Sequence, residues 1–296
     1  MKSALKVVGL GEVLWDVLPG GKQLGGAPAN FAYMASLLGD QGIVASRVGQ
    51  DDLGKEALGR MRGLGLNAAF VQTDTEHPTG TAHVSLDAHH QPTFTITEPV
   101  AWDFLEFTSA WEKLAHEADV VCFGTLAQRS QASRQAIQSF LGAARKATRV
   151  FDINLRQSYY SPEIVRSSLD HAQILKVNHE ELPILTKIFR LNCGTEVVCA
   201  ESLLRAFDLQ LVCVTRGEQG SLLVNRTAVA THPGIRVEVA DTVGAGDGFT
   251  ACLVHHFMRG ESMEKINEAA NRFAAWVAGQ SGGTPAMSAD VRQQFL

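Results

Sequence analysis

The chain has 296 residues, 45% hydrophobic and 19% charged, a balance that excludes a mainly disordered protein and allows one large core. Its formal net charge of -5 lacks the basic excess that a long phosphate backbone demands, so no nucleic-acid partner is expected. No apolar stretch approaches the roughly 20 residues of a membrane span, and Gly9, Gly11 and Glu12 break the first apolar run, so neither a membrane segment nor a secretory signal is read there.

Strand-like and helical patterns alternate along the chain. Leu5 to Trp15 reads as a strand, followed by the glycine-rich turn Leu24-Gly25-Gly26-Ala27-Pro28. Phe31, Met34, Ala35 and Leu38 then recur at helical spacing until Gly39. A strand is expected from Ile43 to Val48 and a helix from about Leu53 to Leu64. Thr81 to Leu86 and Thr93 to Thr97 form a predicted hairpin around the tip Asp87 to Pro92, placed outside the main sheet as a flap. Short apolar runs follow at Val120 to Phe123, Val150 to Ile153, Ile174 to Val177 and Leu211 to Val214, most separated by helical patterns such as Ala132 to Ala147. Short buried strands between helices predict an α/β fold, its parallel sheet covered on both faces. Two helices close the chain: one from about Ala245 to Phe257, the other burying Ile266, Ala269, Ala270, Phe273, Ala274 and Val277 on one face. No linker divides the chain.

The five cysteines, Cys122, Cys193, Cys199, Cys213 and Cys252, are odd in number and form no C-x-x-C pair, so a reduced cytoplasmic protein is expected, with Cys122, Cys213 and Cys252 in the core. Neither His89-His90 nor His255-His256 has the i, i+4 spacing of metal ligands on a helix, and both pairs read as solvated. Trp102, with Asp103 and Phe104, reads equally as core or as a cover for the site.

Gly9-Leu10-Gly11 after a strand suggests dinucleotide binding, but the third glycine position holds Leu14 and no helix starts there. Asp16 follows a buried strand, at the carboxyl edge where α/β sheets bind ligands, although a turn residue explains it as well. More informative is Asp241-Thr242-Val243-Gly244-Ala245-Gly246-Asp247-Gly248-Phe249. Gly244, Ala245 and Gly246 can bring backbone N–H groups to an anion at the positive end of the following helix. A carboxylate beside such a site, Asp247, also serves to offset the helix dipole. Phosphoryl transfer gives it a further task, accepting the proton of the attacking hydroxyl.

Gly25-Gly26-Ala27-Pro28-Ala29-Asn30 and Asp241 to Asp247 together resemble the two signatures of the ribokinase-like (PfkB) sugar kinases. Asp152-Ile153-Asn154-Leu155-Arg156, Asn178-His179-Glu180-Glu181 and Thr215-Arg216-Gly217-Glu218-Gln219-Gly220 occur in that family's order, so the resemblance spans the chain. Leu24 to Phe31 and Gly124 to Arg129 are most similar to bacterial fructokinases. The resemblance implies one ribokinase-like domain over 1–296, a three-layer α/β sandwich with a mostly parallel central sheet covered by helices. A small β lid over the sugar would come from about 12–30 and 79–107.

The resemblance also implies roles. Asp247 matches the general base, and Gly244, Ala245 and Gly246 match the anion hole. Asp16, Gly25, Gly26 and Asn30 match sugar contacts, and Asn154 and Arg156, two apart at a strand end, are expected to point together into the cleft. Asn178, Thr215, Arg216, Gly217 and Asn271 match the ATP side. Asn178 and Glu181 would position Mg²⁺ through water, and they read equally as a helix cap. A monovalent cation, K⁺, would meet Asp241, Val243, Gln280 and Gly282, with Ala286 standing where some members offer a hydroxyl. Gly248 replaces the usual small hydroxyl residue after the base. The implied partners are a sugar and ATP, and the apolar alternation of Ala82, Val84 and Leu86 permits a homodimer through the lid. The implied reaction is phosphorylation of a sugar hydroxyl, first of D-fructose at its 6-hydroxyl. The alternatives are 2-keto-3-deoxygluconate, then ribose or a nucleoside; presence of Asp247 and its glycines disfavours a non-catalytic sensor.

Overall fold

A computed structural model describes residues 3–18, 20–86 and 92–295. The strands are β1 (Lys6–Leu10), β2 (Leu14–Leu18), β3 (Gly21–Gly25), β4 (Gln41–Gly49), β5 (Asn67–Asp74), β6 (Gly80–Leu86) and β7 (Pro92–Ile96), then β8 (Val120–Phe123), β9 (Thr148–Asp152), β10 (Ile174–Asn178), β11 (Leu211–Thr215), β12 (Ser221–Val224) and β13 (Val229–His232). Nine of them form one sheet in the order β13-β12-β11-β10-β9-β8-β1-β4-β5. Its pairs from β11 to β5 are parallel, and β12 and β13 close one edge antiparallel. The fold is the α/β arrangement expected from the alternating elements, and the ribokinase-like one that the resemblance implies.

Alternation along each strand feeds two cores, one on each face of the sheet. Val8, Leu10, Val121 and Phe123 enter one, while Val7, Val44, Val120 and Cys122 enter the other. Because both faces are dry, the strands are apolar throughout. Lys176 in β10 and Asp152 in β9 are buried charges that break that rule.

A second sheet, in the order β3-β2-β6-β7, holds the predicted hairpin. The run from Leu5 to Trp15 is therefore two strands. β1 lies in the large sheet, and after Gly11 and Glu12 the chain turns into β2 of the small one, so Asp16 lies within β2 and not at the edge of the parallel sheet. Apolar content alone shows no boundary there, since Leu14 and Trp15 are buried as deeply as β1. The hairpin tip, with His89 and His90, lies outside the described residues.

Three further expectations need correction. His255 and His256 are buried; His255 Nδ1 is 2.7 Å from Asp40 Oδ2 and His256 Nδ1 is 3.2 Å from Glu261 Oε2, partners far from obvious in the sequence. Cys193 and Cys199 form a disulfide across the start of the helix Glu196–Ala206, although Cys122, Cys213 and Cys252 are free and buried as expected. The helix expected to reach Ala147 ends at Ala143, and a short helix, Ala289–Gln293, follows the two predicted near the C-terminus. Trp102 is core, with Arg129 stacked 3.9 Å from its ring. Among the described residues no helix is long and apolar enough to cross a membrane.

Candidate active site

The sheet order reverses at β1. The chain goes from β1 to β4 on one side, and later fills β8 to β11 on the other. Parallel sheets bind ligands outside the carboxyl ends of their strands at such a reversal. A small chamber of about 10 Å³ lies at that point, with Glu12 past β1, Gly124 and Thr125 past β8, and Asp152 and Asn154 at the end of β9. Asp247 lines it as well, together with Ala27, Pro28 and Phe31.

Asp247 sits in the first turn of the helix Ala245–Phe257, whose N-terminal residue Gly244 has φ 79°. A Cβ at Gly244 would stand 2.9 Å from the Gly283 Cα, so both conformation and space call for glycine. No side chain caps this helix. The first N–H groups of a helix have no partner within it, and here they are available to an anion. Ala245 N–H already donates to the Thr242 carbonyl at 3.2 Å, so its neighbours Gly246 and Asp247 carry more of that task.

The two ends of the chain meet at this carboxylate. Asn30, on the helix Ala27–Leu37, donates from Nδ2 to Asp247 Oδ2 at 2.9 Å across 217 positions of sequence. Removal from water and the nearby Asp152 carboxylate push the Asp247 carboxyl up to about 6, against the opposing pull of Asn30, Lys176 and Arg156. It is thus ionised at neutral pH yet basic enough to hold a proton in passing.

Beneath it lies a buried network that the sequence pattern does not reveal. Lys176 Nζ donates to Asp152 Oδ1 at 3.0 Å, and Thr250 Oγ1 donates to Asp152 Oδ2 at 2.9 Å. Burial works against the lysine's charge, but Asp152, Glu181 and Asp247 outweigh it and hold the lysine protonated, its pKa raised. The ammonium also underlies the glycine loop, 3.3 Å from where a Gly246 Cβ would be. A lysine inside an apolar strand is the one available signal, since buried lysines are seldom unpaired.

The other predicted residues fall around this centre. Asp16 shares an antiparallel pair with β3, and a Cβ at Gly25 would lie 2.2 Å from its Oδ2, so the glycine admits the carboxyl. Desolvation lifts Asp16 to about 6, with Arg156 opposing and Asp241 adding to the rise. Gly26 leads into the helix that carries Asn30. β9 ends at Asp152 and Asn154 has φ 41°, so Asn154 and Arg156 do not continue an extended strand as expected. Arg156 is exposed and donates to the Leu155 carbonyl, while its charge still acts on Glu12, Asp16 and Asp247.

Asn178 and Glu181 form a reciprocal cap. Asn178 Oδ1 accepts from Glu181 N–H at 2.8 Å, and Glu181 Oε2 accepts from Asn178 N–H at 2.8 Å. Thr215 ends β11 beside β10, and Gly217 follows with φ 58°. Arg216 is held by Glu196 at 2.7 Å. Asn271 is buried, its amide donating to Ser221 Oγ at 2.7 Å and to Asn267. Asp241 ties two loops together, accepting from Val243 N–H at 3.0 Å and Gly282 N–H at 3.1 Å; Gln280 lies just before the second contact. Among the described residues no group of three His, Cys, Asp or Glu side chains is placed to hold a metal unaided.

The model of the pfkB family of carbohydrate kinases matches residues 11–290. A fructokinase of Klebsiella pneumoniae is 31% identical over 264 residues, covering 84% of this chain and 83% of that one. A probable fructokinase of Arabidopsis thaliana is 28% identical, with 96% and 89% covered. Among solved structures, an uncharacterized sugar kinase of Pyrococcus horikoshii in complex with ATP superposes with TM-score 0.83 at 23% identity, over 98% of this chain and all of that one (100%). A fructokinase of Vibrio cholerae bound to fructose, ADP and calcium gives TM-score 0.80 at 24% identity, with 98% of each chain covered.

Proposed function

The chain belongs to the pfkB family of carbohydrate kinases, and on that premise we propose that it transfers the γ-phosphoryl group of ATP to the 6-hydroxyl of D-fructose. The observation that carries the reading is the Asn30–Asp247 hydrogen bond, which sets the glycine turn against the one carboxylate at the uncapped helix start. Asp247 takes the proton of the attacking hydroxyl, and that oxygen bonds to phosphorus as the bond to ADP breaks. The glycine loop, the helix dipole and Lys176 below it stabilise the charge on the moving phosphoryl group. Asn178, Thr215, Arg216, Gly217 and Asn271 form the ATP side, and the small sheet, with about 12–30 and 79–107, forms the lid.

Mg²⁺, when bound, neutralises phosphate charge during such a transfer. Asn178 and Glu181 would hold its waters. Both offer oxygen, which suits a hard cation; Asn178 Oδ1 already accepts from the Glu180 and Glu181 N–H groups, while each Glu181 carboxylate oxygen accepts one backbone N–H and keeps a lone pair. Asp241, with carbonyl oxygens of Val243, Gln280 and Gly282, offers K⁺ a similar all-oxygen set at the joined loops. Adding K⁺ or ammonium to an assay in Mg²⁺ alone is expected to raise activity. An unchanged rate would remove the monovalent site.

The substrate is argued from charge. Asp16 and Asp247 place two carboxyl groups about the cleft, whereas Lys176 is committed to Asp152 and Lys22 to Glu56. Among the described residues, Arg156 is the cation acting on both carboxyls, and one exposed arginine favours a neutral sugar over 2-keto-3-deoxygluconate. The similarity to bacterial and plant fructokinases supports fructose. Comparing kcat/KM for fructose, 2-keto-3-deoxygluconate and ribose at saturating ATP is expected to rank fructose first. A preference for the acid would replace the substrate and leave the kinase chemistry standing.

A further inference from the structure

Glu12 lines the chamber beside Asp247, and the proposed reaction gives it no task. Its side chain is 3% exposed, and Oε2 has no hydrogen-bond partner. The backbone N–H groups of Glu12 and of Ala27, at the start of the helix that carries Asn30, act on the carboxyl. The same chamber holds Asp247, and its volume of about 10 Å³ suits roughly one water molecule. An ionised carboxylate placed here would keep a buried acceptor unsatisfied and face a second carboxylate. A neutral carboxyl turns that orphan acceptor into a donor, and the Asp247 carboxylate in the same chamber is an acceptor.

We infer that Glu12 works in its protonated form as a positioning residue for Asp247, donating from Oε2 into the shared chamber, and that its ionisation sets the alkaline limit of activity. The groups that face it are Asp247 from the helix Ala245–Phe257, Arg156 from the segment after β9, Asp152 at the end of β9 and Cys122 at the end of β8. Of these, Asp152 is paired with Lys176 and the Cys122 thiol is driven up by burial, so it stays neutral. Burial first, and then Asp247, push Glu12 up to about 7, while Arg156 and backbone N–H groups oppose them. Two facing carboxyls do not ionise together readily; the Asn30 donor favours the charge on Asp247 and the unpartnered Oε2 favours the proton on Glu12, so there is a pH window in which the base is ionised and its neighbour is not. This is an assignment of acid and base by environment. Above that window both are ionised, and the second charge repels the phosphate oxygens of the donor as well. This inference rests on Asp247 as the base.

The test compares Glu12→Gln with Glu12→Leu. Glutamine keeps a neutral donor at every pH, so Glu12→Gln is expected to retain kcat/KM near pH 6.5 and to lose the alkaline fall that wild type shows through about pH 7. Leucine removes the donor, and kcat/KM is expected to drop roughly tenfold or more at all pH values. A Glu12→Gln profile with an unchanged alkaline limb would overturn the inference, as would equal activity of the two variants. Thermal unfolding reads protonation without any assay. A carboxyl raised from 4.5 to about 7 on folding loses stability as pH rises through that interval. The Tm of Glu12→Gln relative to wild type should therefore be higher at pH 8 than at pH 5. If that gap appears while Asp247→Asn is fully active, the base assignment fails and the protonated Glu12 survives. If it is absent, Glu12 is ionised in the fold and the inference fails.

Discussion

Replacing Asp247 with asparagine is expected to lower kcat by about 10²–10⁴ or more, the usual contribution of a positioned general base, while the chain stays folded. The amide keeps the shape of the carboxylate and can still meet Asn30, so KM for the sugar should change little by comparison. What is lost is the proton acceptor, needed only as the hydroxyl begins to bond to phosphorus. The wild-type pH profile supplies a second readout. Asp247 titrates at about 6, above the ordinary aspartate value, so its acid form accumulates as pH falls through 6. Below that point kcat/KM should decline about tenfold per pH unit, the slope of a single essential ionised group. Measuring kcat and kcat/KM for both proteins from pH 5 to 8 checks both statements. Near-normal turnover of Asp247→Asn would sink the assignment of the base.

Much of this site is legible in the order of residues alone, and the reason lies in its construction. The glycine loop and Asp247 are consecutive, so their chemistry shows in a short string of residues. The same holds for the turn with Gly25, Gly26 and Asn30. The alternation of apolar runs with helical spacing likewise carries the parallel sheet, because a strand buried on both faces must be apolar throughout. Illegible features depend on distant pairs. Lys176 passes as part of an apolar strand until Asp152, 24 positions earlier, is seen beside it. His255 reads as a surface histidine until Asp40 is set against it from 215 positions away. Glu12 falls between two strands that look like one, and its meaning comes from Asp247 across the chamber. Asn154 and Arg156 look like the continuation of a strand, because the left-handed backbone at Asn154 gives no periodic signal.

Exchanging Lys176 for methionine is expected to cost roughly 3–5 kcal/mol of folding stability, since removing one partner of a buried ion pair leaves the other charge uncompensated. Both members are buried: Lys176 is 8% exposed and Asp152 is 6% exposed. Methionine fills most of the space, so the loss is electrostatic more than steric. The Asp152 carboxylate keeps its Thr250 hydrogen bond but faces Asp247 with no cation between them. Denaturant unfolding of Lys176→Met, Asp152→Asn and the double variant separates the terms. If the pair argument is right, the double variant regains much of what the single lysine change loses, because no unpaired charge remains. The catalytic readout runs in parallel. Lys176 pulls the Asp247 carboxyl down and Asp152 pushes it up, so Lys176→Met should move the acid limb of kcat/KM to higher pH. Asp152→Asn should move it lower. A loss below about 1 kcal/mol in Lys176→Met, within the range of an ordinary substitution, would mean that the buried pair contributes little beyond its volume. An unmoved acid limb would mean that the charge beneath the glycine loop does not reach the base. The lysine is then a structural feature of β10 alone.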